Sequence, residues 1–359
     1  MRVHVELPEE LDVDEHTRAH ARDEIPGAVP YGLDHLADDG DVELTFRRPL
    51  RDPRLGWLAH RVRNRLDAHE VVGELAGVPS RARRAADVVF CMDERTGLPA
   101  ALAPGPPVVS HLIWLLPPEN YGPARRAATH RALHRMAGVV VTADGLVGQL
   151  RDGWGVDPAR IHVARVGLDT DFFAPQPWTD PTTTVASVGD DPYRDHPLLV
   201  EAVRRLRAGG QPAYLELGTT MPEVTLPDAS MGTLHRRRME GAVRGMYRRA
   251  GVVALALRPS DRGSGSTVVL EAAASGRPVV ATRTPAMAEL VADGERGLLV
   301  EPDDPDALAS ALGTLLADPG RARAMGAAAR RWVETTHTDA HRAADLRVAL
   351  RDAVARGRP

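Results

Sequence analysis

The chain contains no lysine; all 45 of its basic residues are arginine. A pyridoxal phosphate Schiff base needs a lysine amine, and a P-loop needs one to reach the terminal phosphates, so both are excluded. Cysteine is nearly absent too. The single Cys91 excludes an intramolecular disulfide and a cysteine-based zinc cluster, and its place in ADVVFCMD reads as an inert buried thiol. Aromatic residues make up only 4% of the chain, so its cores must be aliphatic. No apolar run approaches the ~18 residues that span a bilayer. MRVHVELPEE also carries charges where a signal peptide would be apolar, and a cytoplasmic location is expected. A formal net charge of −4 argues against general nucleic-acid binding.

A length of 359 residues suits two domains rather than one core, and 43% hydrophobic with 26% charged residues is a globular composition. Strand-like and helical patterns alternate, as in α/β proteins with parallel sheets. In the first half RVHVEL, VELTFRR, ADVVFCMD, VVSHLIWL (108–115) and VVVT read as strands, while 30–40, 96–103 and 124–137 read as helices. The second half repeats the theme with strands at 183–189, 213–218, 252–257 and 278–282, and a helix at 196–210. Further helices are expected at 305–316 and 319–334, capped by Asp304 and Asp318. The proline-rich stretch 172–184 reads as the linker between domains.

Residues 263–283, GSGSTVVLEAAASGRPVVATR, carry the most chemistry. A glycine-serine loop runs straight into a helix, so backbone N–H groups and the positive helix end can receive a phosphate. Glu271, about one turn inside that helix, can accept hydrogen bonds from two neighbouring hydroxyls, as on a ribose. Together these parts are a minimal nucleotide site.

The spacing resembles the donor site of retaining family-4 glycosyltransferases. The resemblance extends through 293–334 and through 139–175, and covers most of the chain from about Asp87 onward. It implies the GT-B architecture, an α/β fold of two Rossmann-like domains with parallel sheets facing across a cleft. Residues 1–170 would then form an acceptor domain and 171–337 a nucleotide-sugar donor domain, with 338–359 a helix returning to the first domain. The activity implied is transfer of a hexose from a nucleoside diphosphate sugar, without cofactor or metal. Lack of lysine excludes the phosphorylase-like, pyridoxal-dependent members of the same fold.

By resemblance, the diphosphate meets the backbone of Ser264, Gly265, Ser266 and Thr267 and the hydroxyls of the last two, while Glu271 holds the ribose. The segment SVGDDPYRDHPLLVEA (187–202) resembles the family's second phosphate element, a strand ending in glycine (Gly189) followed by an arginine and then a lysine. Asp190 stands at the arginine position and Arg194 at the lysine position. The bland alternative is a surface Arg194–Asp195 pair. His111, at the end of VVSH, is expected to face the donor sugar; Met92 stands where many relatives have another histidine. Asp93, Glu94 and Arg95 are candidates to compensate. Position 263, where relatives carry the first of two glutamates, is glycine.

Two aspartate pairs, Asp12–Asp14 and Asp169–Asp171, mimic a metal motif of another glycosyltransferase fold but read as structural, and GSGST does not fit a serine nucleophile elbow. The arginine-rich stretch 46–66, with Trp57, has two readings, a solvated helix face or a peripheral contact with an anionic membrane. Two rival functions remain open: a nucleotide-sugar 2-epimerase of the same fold, and a nucleotide-sugar-binding protein that transfers nothing.

Overall fold

The computed structural model describes residues 1–8, 10–48, 54, 57–58, 61, 80–178, 182–259 and 263–357. The described chain divides into two compact units. Residues 1–21, 27–167 and 339–359 form the first; 22–26 and 168–338 form the second. Most of 46–66, and with it the membrane-contact reading, lies outside the described residues.

Unit 1 is built on a parallel six-stranded sheet. Its strands are β1 (Arg2–Glu6), β2 (Glu43–Phe46), β3 (Val88–Cys91), β4 (Val108–His111), β5 (Gly138–Val141) and β6 (Ile161–Val163), in the order β2-β1-β3-β4-β5-β6. VVFC, VVSH and GVVV are buried at every position, as in parallel strands covered on both faces. Helices α1 (Val13–Ala21), α2 (Arg81–Ala85), α3 (Glu94–Leu102), α4 (Pro123–Arg135) and the short α5 (Gly145–Gly148) connect them.

Unit 2 has the parallel order β12-β11-β10-β7-β8-β9. These strands are β7 (Thr184–Val188), β8 (Tyr214–Gly218), β9 (Gly232–His235), β10 (Val252–Leu255), β11 (Val279–Thr282) and β12 (Gly297–Val300). Its helices are α6 (His196–Ala208), α7 (Val243–Arg249), α8 (Ser266–Ala274), α9 (Pro285–Leu290), α10 (Pro305–Ala317) and α11 (Pro319–Thr336). Asp304 and Asp318 cap α10 and α11 as expected, accepting from Ala307 N at 2.8 Å and Arg321 N at 2.9 Å. The last helix, α12 (Asp339–Gly357), belongs to unit 1 and buries Ala343, Leu346, Ala349, Leu350 and Ala353 in its core.

The structure corrects several readings. The chain passes between units at Gly167–Leu168, so the proline-rich stretch is not the linker; it begins inside unit 2, where Phe172 and Phe173 are buried. Residues 30–37 form kinked 3₁₀ turns rather than a helix, because Tyr31 and Gly32 both have left-handed φ, 62° and 63°. Gly32 is required there: a Cβ would stand 2.2 Å from Asp339 Cγ. The strand expected over 108–115 ends at His111. Strands β6, β9 and β12 give little sequence signal because they are short sheet edges, half-buried for most of their length.

Gly326 on α11 meets the loop that ends α8 so closely that a Cβ would stand 2.1 Å from the Gly276 carbonyl oxygen. Gly326→Ala is expected to force a backbone shift and cost about 1–3 kcal/mol. Urea unfolding would register this as a lower midpoint with an unchanged slope.

Candidate functional site

In unit 2, β7 stops at Val188, and Gly189 turns the chain with φ 146°. Beyond it, residues 193–195 pair with the end of β10: Arg258 N donates to Tyr193 O at 2.8 Å and Asp195 N to Ala256 O at 2.9 Å. Asp195 then caps α6 by accepting from Leu198 N. This pairing turns Arg194 inward, and it is only 5% exposed. The surface-pair alternative is therefore overturned: Asp195 serves the helix, and its ion-pair partner, at 3.9 Å, is Arg258.

The guanidinium of Arg194 lies between two glycines. A Cβ at Gly189 would stand 2.4 Å from its Nε, and one at Gly265 would stand 2.8 Å from its Nη1. Any other residue at either place would expel the arginine. Neither Nε nor Nη1 has a hydrogen-bond partner, and burial pushes the group below its ordinary arginine value. A buried cation with unfilled donors is costly unless something supplies the missing acceptors.

Gly265, with φ 88°, is also the residue before α8, whose N-terminus no side chain caps. Here Ser266 differs from expectation, because its hydroxyl turns back to Gly263 O at 2.7 Å. Ser264 is buried with an unpartnered hydroxyl, and Thr267 is exposed. Glu271, further along α8, is partly exposed and accepts a 2.8 Å hydrogen bond from the Tyr247 hydroxyl of α7. Burial pushes its carboxyl up to about 7, against the pull of Tyr247 and of the Arg194 charge. Tyr247 is fully buried and its own value is raised well above the usual tyrosine range, by burial and by Glu271. Thus Gly189, Arg194, Gly265 and Glu271 converge within unit 2.

Asp190, in place of a cation, accepts hydrogen bonds from Thr219 Oγ1 at 3.1 Å, Thr220 Oγ1 at 2.9 Å and the Thr220 N–H. Partial burial acts to raise its carboxyl, yet the threonine bonds hold it below the usual aspartate value. The residue organises the loop after β8. Asp12 and Asp169 likewise serve local turns, accepting from the backbone of residues 14–15 and 171–172.

In unit 1, His111 ends β4 and is 3% exposed, and neither ring nitrogen reaches hydrogen-bonding geometry. Burial, then the nearby Arg342 charge, push it down to about 3, with the Met92 backbone a weak opposing neighbour. The three candidates beside Met92 are already occupied. Asp93 caps α3 and pairs with Arg95, whose other arm reaches Glu10 at 2.7 Å. Glu94 accepts from Ile113 N and Trp114 N, which ties down the loop that follows His111.

Sequence reasoning missed Tyr247 and Arg342. No local spacing links Tyr247 to Glu271, which lies 24 residues away. Arg342 did leave a signal: it shares a helical stripe with Leu346, Ala349 and Ala353, so an arginine sits on a core-facing row.

The two units match solved GT-B glycosyltransferases over nearly the whole chain. Anabaena HepE, solved with UDP and glucose, aligns with a TM-score of 0.63 at 15% identity, covering 96% of this chain and 97% of that one. Sucrose-phosphate synthase from Thermosynechococcus elongatus aligns with a TM-score of 0.67 at 16% identity, with the same coverages. The fold is therefore the GT-B α/β architecture. Residues 182–318 match the family Glycosyl transferases group 1, and this span contains Gly189, Arg194, the 264–267 loop and Glu271. A Mycolicibacterium smegmatis protein, GDP-mannose-dependent alpha-(1-6)-phosphatidylinositol monomannoside mannosyltransferase, is 35% identical over 46% of this chain and 50% of its own length. D-inositol 3-phosphate glycosyltransferase of Xylanimonas cellulosilytica is 33% identical over 54% of this chain and 53% of its own. The chain thus spans about half the length of these curated relatives.

The raised carboxyl of Glu271 sets a pH dependence. From the usual 4.5 to about 7 the folded protein retains a proton that the unfolded chain has lost, so stability from this group falls as pH rises through that window and is flat above it. Glu271→Gln abolishes the titration. Melting curves from pH 4 to 9 should show the wild-type midpoint falling relative to Glu271→Gln up to about pH 7. A constant gap would contradict the raised value.

Proposed function

We propose that this chain is a retaining glycosyltransferase that moves a hexose from a nucleoside diphosphate sugar to an acceptor. One observation carries the reading: a buried guanidinium with two unfilled donors lies beside an uncapped helix N-terminus, with a carboxylate further along that helix. Arg194 and the start of α8 receive the diphosphate, and the free oxygen of Glu271 takes the ribose hydroxyls. Negative charge on the diphosphate grows as the sugar leaves, so a preorganised cation there lowers the barrier. The departing phosphate takes the acceptor proton. This route suits the carboxylates near Arg194, since Glu271, Asp190 and Asp191 are engaged by Tyr247, by Thr219 and Thr220, and by Tyr193 N respectively. His111 is assigned to the transferred sugar on the resemblance alone.

With arginine and a helix N-terminus supplying the positive charge, transfer needs no divalent metal and should survive EDTA at saturating donor. The location we assign is cytoplasmic. The names of the two relatives favour acceptors bearing inositol, and the first of them favours mannose as the sugar. A second reading, binding without transfer, draws on the commitment of Asp190 to Thr219 and Thr220, which leaves one cation fewer than the resemblance expects. Acceptor-dependent release of nucleoside diphosphate separates the two.

Arg194→Ala should lower the single-turnover transfer rate by on the order of 10²–10³, as for loss of one oxyanion donor, and weaken binding of the diphosphate product. A rate within about threefold of wild type, only ~0.7 kcal/mol in barrier, would remove Arg194 from the site and favour the binding protein.

A further inference from the structure

Unit 1 contains a second buried cation whose donors the protein leaves poorly filled. Arg342 of α12 is 6% exposed and its Nε has no partner. Its other contacts are weak: Nη1 donates to Tyr31 O at 3.4 Å, and Nη2 to the Met92 thioether at 3.7 Å. No carboxylate lies within ion-pair distance of it among the described residues, although the buried Asp339 carboxylate, one turn earlier on α12, is near enough to act on its charge. His111, with both ring nitrogens unpartnered, lies close enough to feel its charge. Five N–H donors and an imidazole therefore converge with almost nothing to accept from them.

The surroundings are those of a receiving site. Met92 follows β3 and His111 ends β4, the carboxyl ends of neighbouring strands, where open α/β sheets bind ligands. Tyr31 is held at φ 62°, a strained conformation for a tyrosine that persists where the surroundings enforce it. Its ring lies 5.7 Å from the Arg342 guanidinium and is itself 47% exposed, so the cation sits one side chain below solvent. Arg95, nearby, is already spent on Asp93 and Glu10.

We propose that the carboxyl end of the unit 1 sheet binds a phosphate group of the acceptor, with Arg342 as its cation. A guanidinium presents paired N–H groups that match two oxygens of one phosphate. Assignment of the phosphate to the acceptor rests on the glycosyltransferase reading above; the anion site itself does not.

The test is thermal unfolding of the full chain in inorganic phosphate, with acetate and chloride at matched ionic strength as controls. Arg194→Ala serves as the background that silences the unit 2 site. In that background phosphate, and not acetate or chloride, should still raise the midpoint. Adding Arg342→Met should weaken the apparent phosphate affinity about 10- to 150-fold, the loss typical of charged hydrogen bonds. Arg342→Lys should retain part of the response, and it stands in if Arg342→Met fails to fold. A structural arginine would instead leave Arg342→Met less stable with its phosphate response intact, and that result overturns the proposal. If UDP or GDP still protects the wild type through Arg194 while phosphate ignores Arg342, this inference fails alone. Loss of both responses overturns it together with the reading it rests on.

Discussion

The site in unit 2 depends on one steric constraint: a guanidinium occupies the space that two Cβ atoms would need. Gly189 and Gly265 are the walls, and their positive φ angles let the loops after β7 and before α8 close around Arg194. Pairing of 193–195 with 256–258 aims the side chain inward, and the cap on α6 fixes where that pairing begins. Glycine is therefore needed here twice over, for the backbone turn and for the room. The helix end, the cation and Glu271 acquire a common geometry because one side chain is pinned among them.

Both candidate sites bring an arginine inside without a close ion pair or a full set of hydrogen-bond acceptors, and the absence of lysine gives this a physical edge. A buried lysine can relieve its desolvation by giving up a proton, whereas a guanidinium holds its charge under almost all conditions. Arg194 and Arg342 thus remain charged and under-coordinated when buried, and on the anion-binding reading an incoming acceptor supplies the relief. On that reading the arrangement trades stability of the empty protein for affinity. Arg277 is buried in the same chain with its Nε also unpartnered, and there the guanidinium stacks on Trp178 at 4.1 Å and donates to Arg248 O.

Much of this was legible in the sequence, for reasons that differ by element. Interior strands such as VVFC and VVAT announce themselves because burial on both faces demands continuous apolar runs. Caps at Asp304 and Asp318 are local chemistry, and the glycine-serine loop declares its helix in the same way. The edge strands β6, β9 and β12 gave weak signals because each is short and only partly buried. Tyr247 was invisible because its meaning comes from Glu271 on another helix. The turn at Tyr31–Gly32 was misread since its cause, the Asp339 side chain, lies 307 residues further along the chain. Local rules reach as far as local causes, and the site residues that were missed act through tertiary neighbours.

Asp190 shows how a residue that reads one way in the sequence serves another end in the fold. Read as a letter, it is a lost cation; in the fold it is the acceptor on which Thr219 and Thr220 close the loop after β8. An arginine at 190 would leave three donors facing a fourth, so it would not fit the loop as it is built. A substitution at position 190 judged by charge alone would therefore miss its effect on the loop after β8.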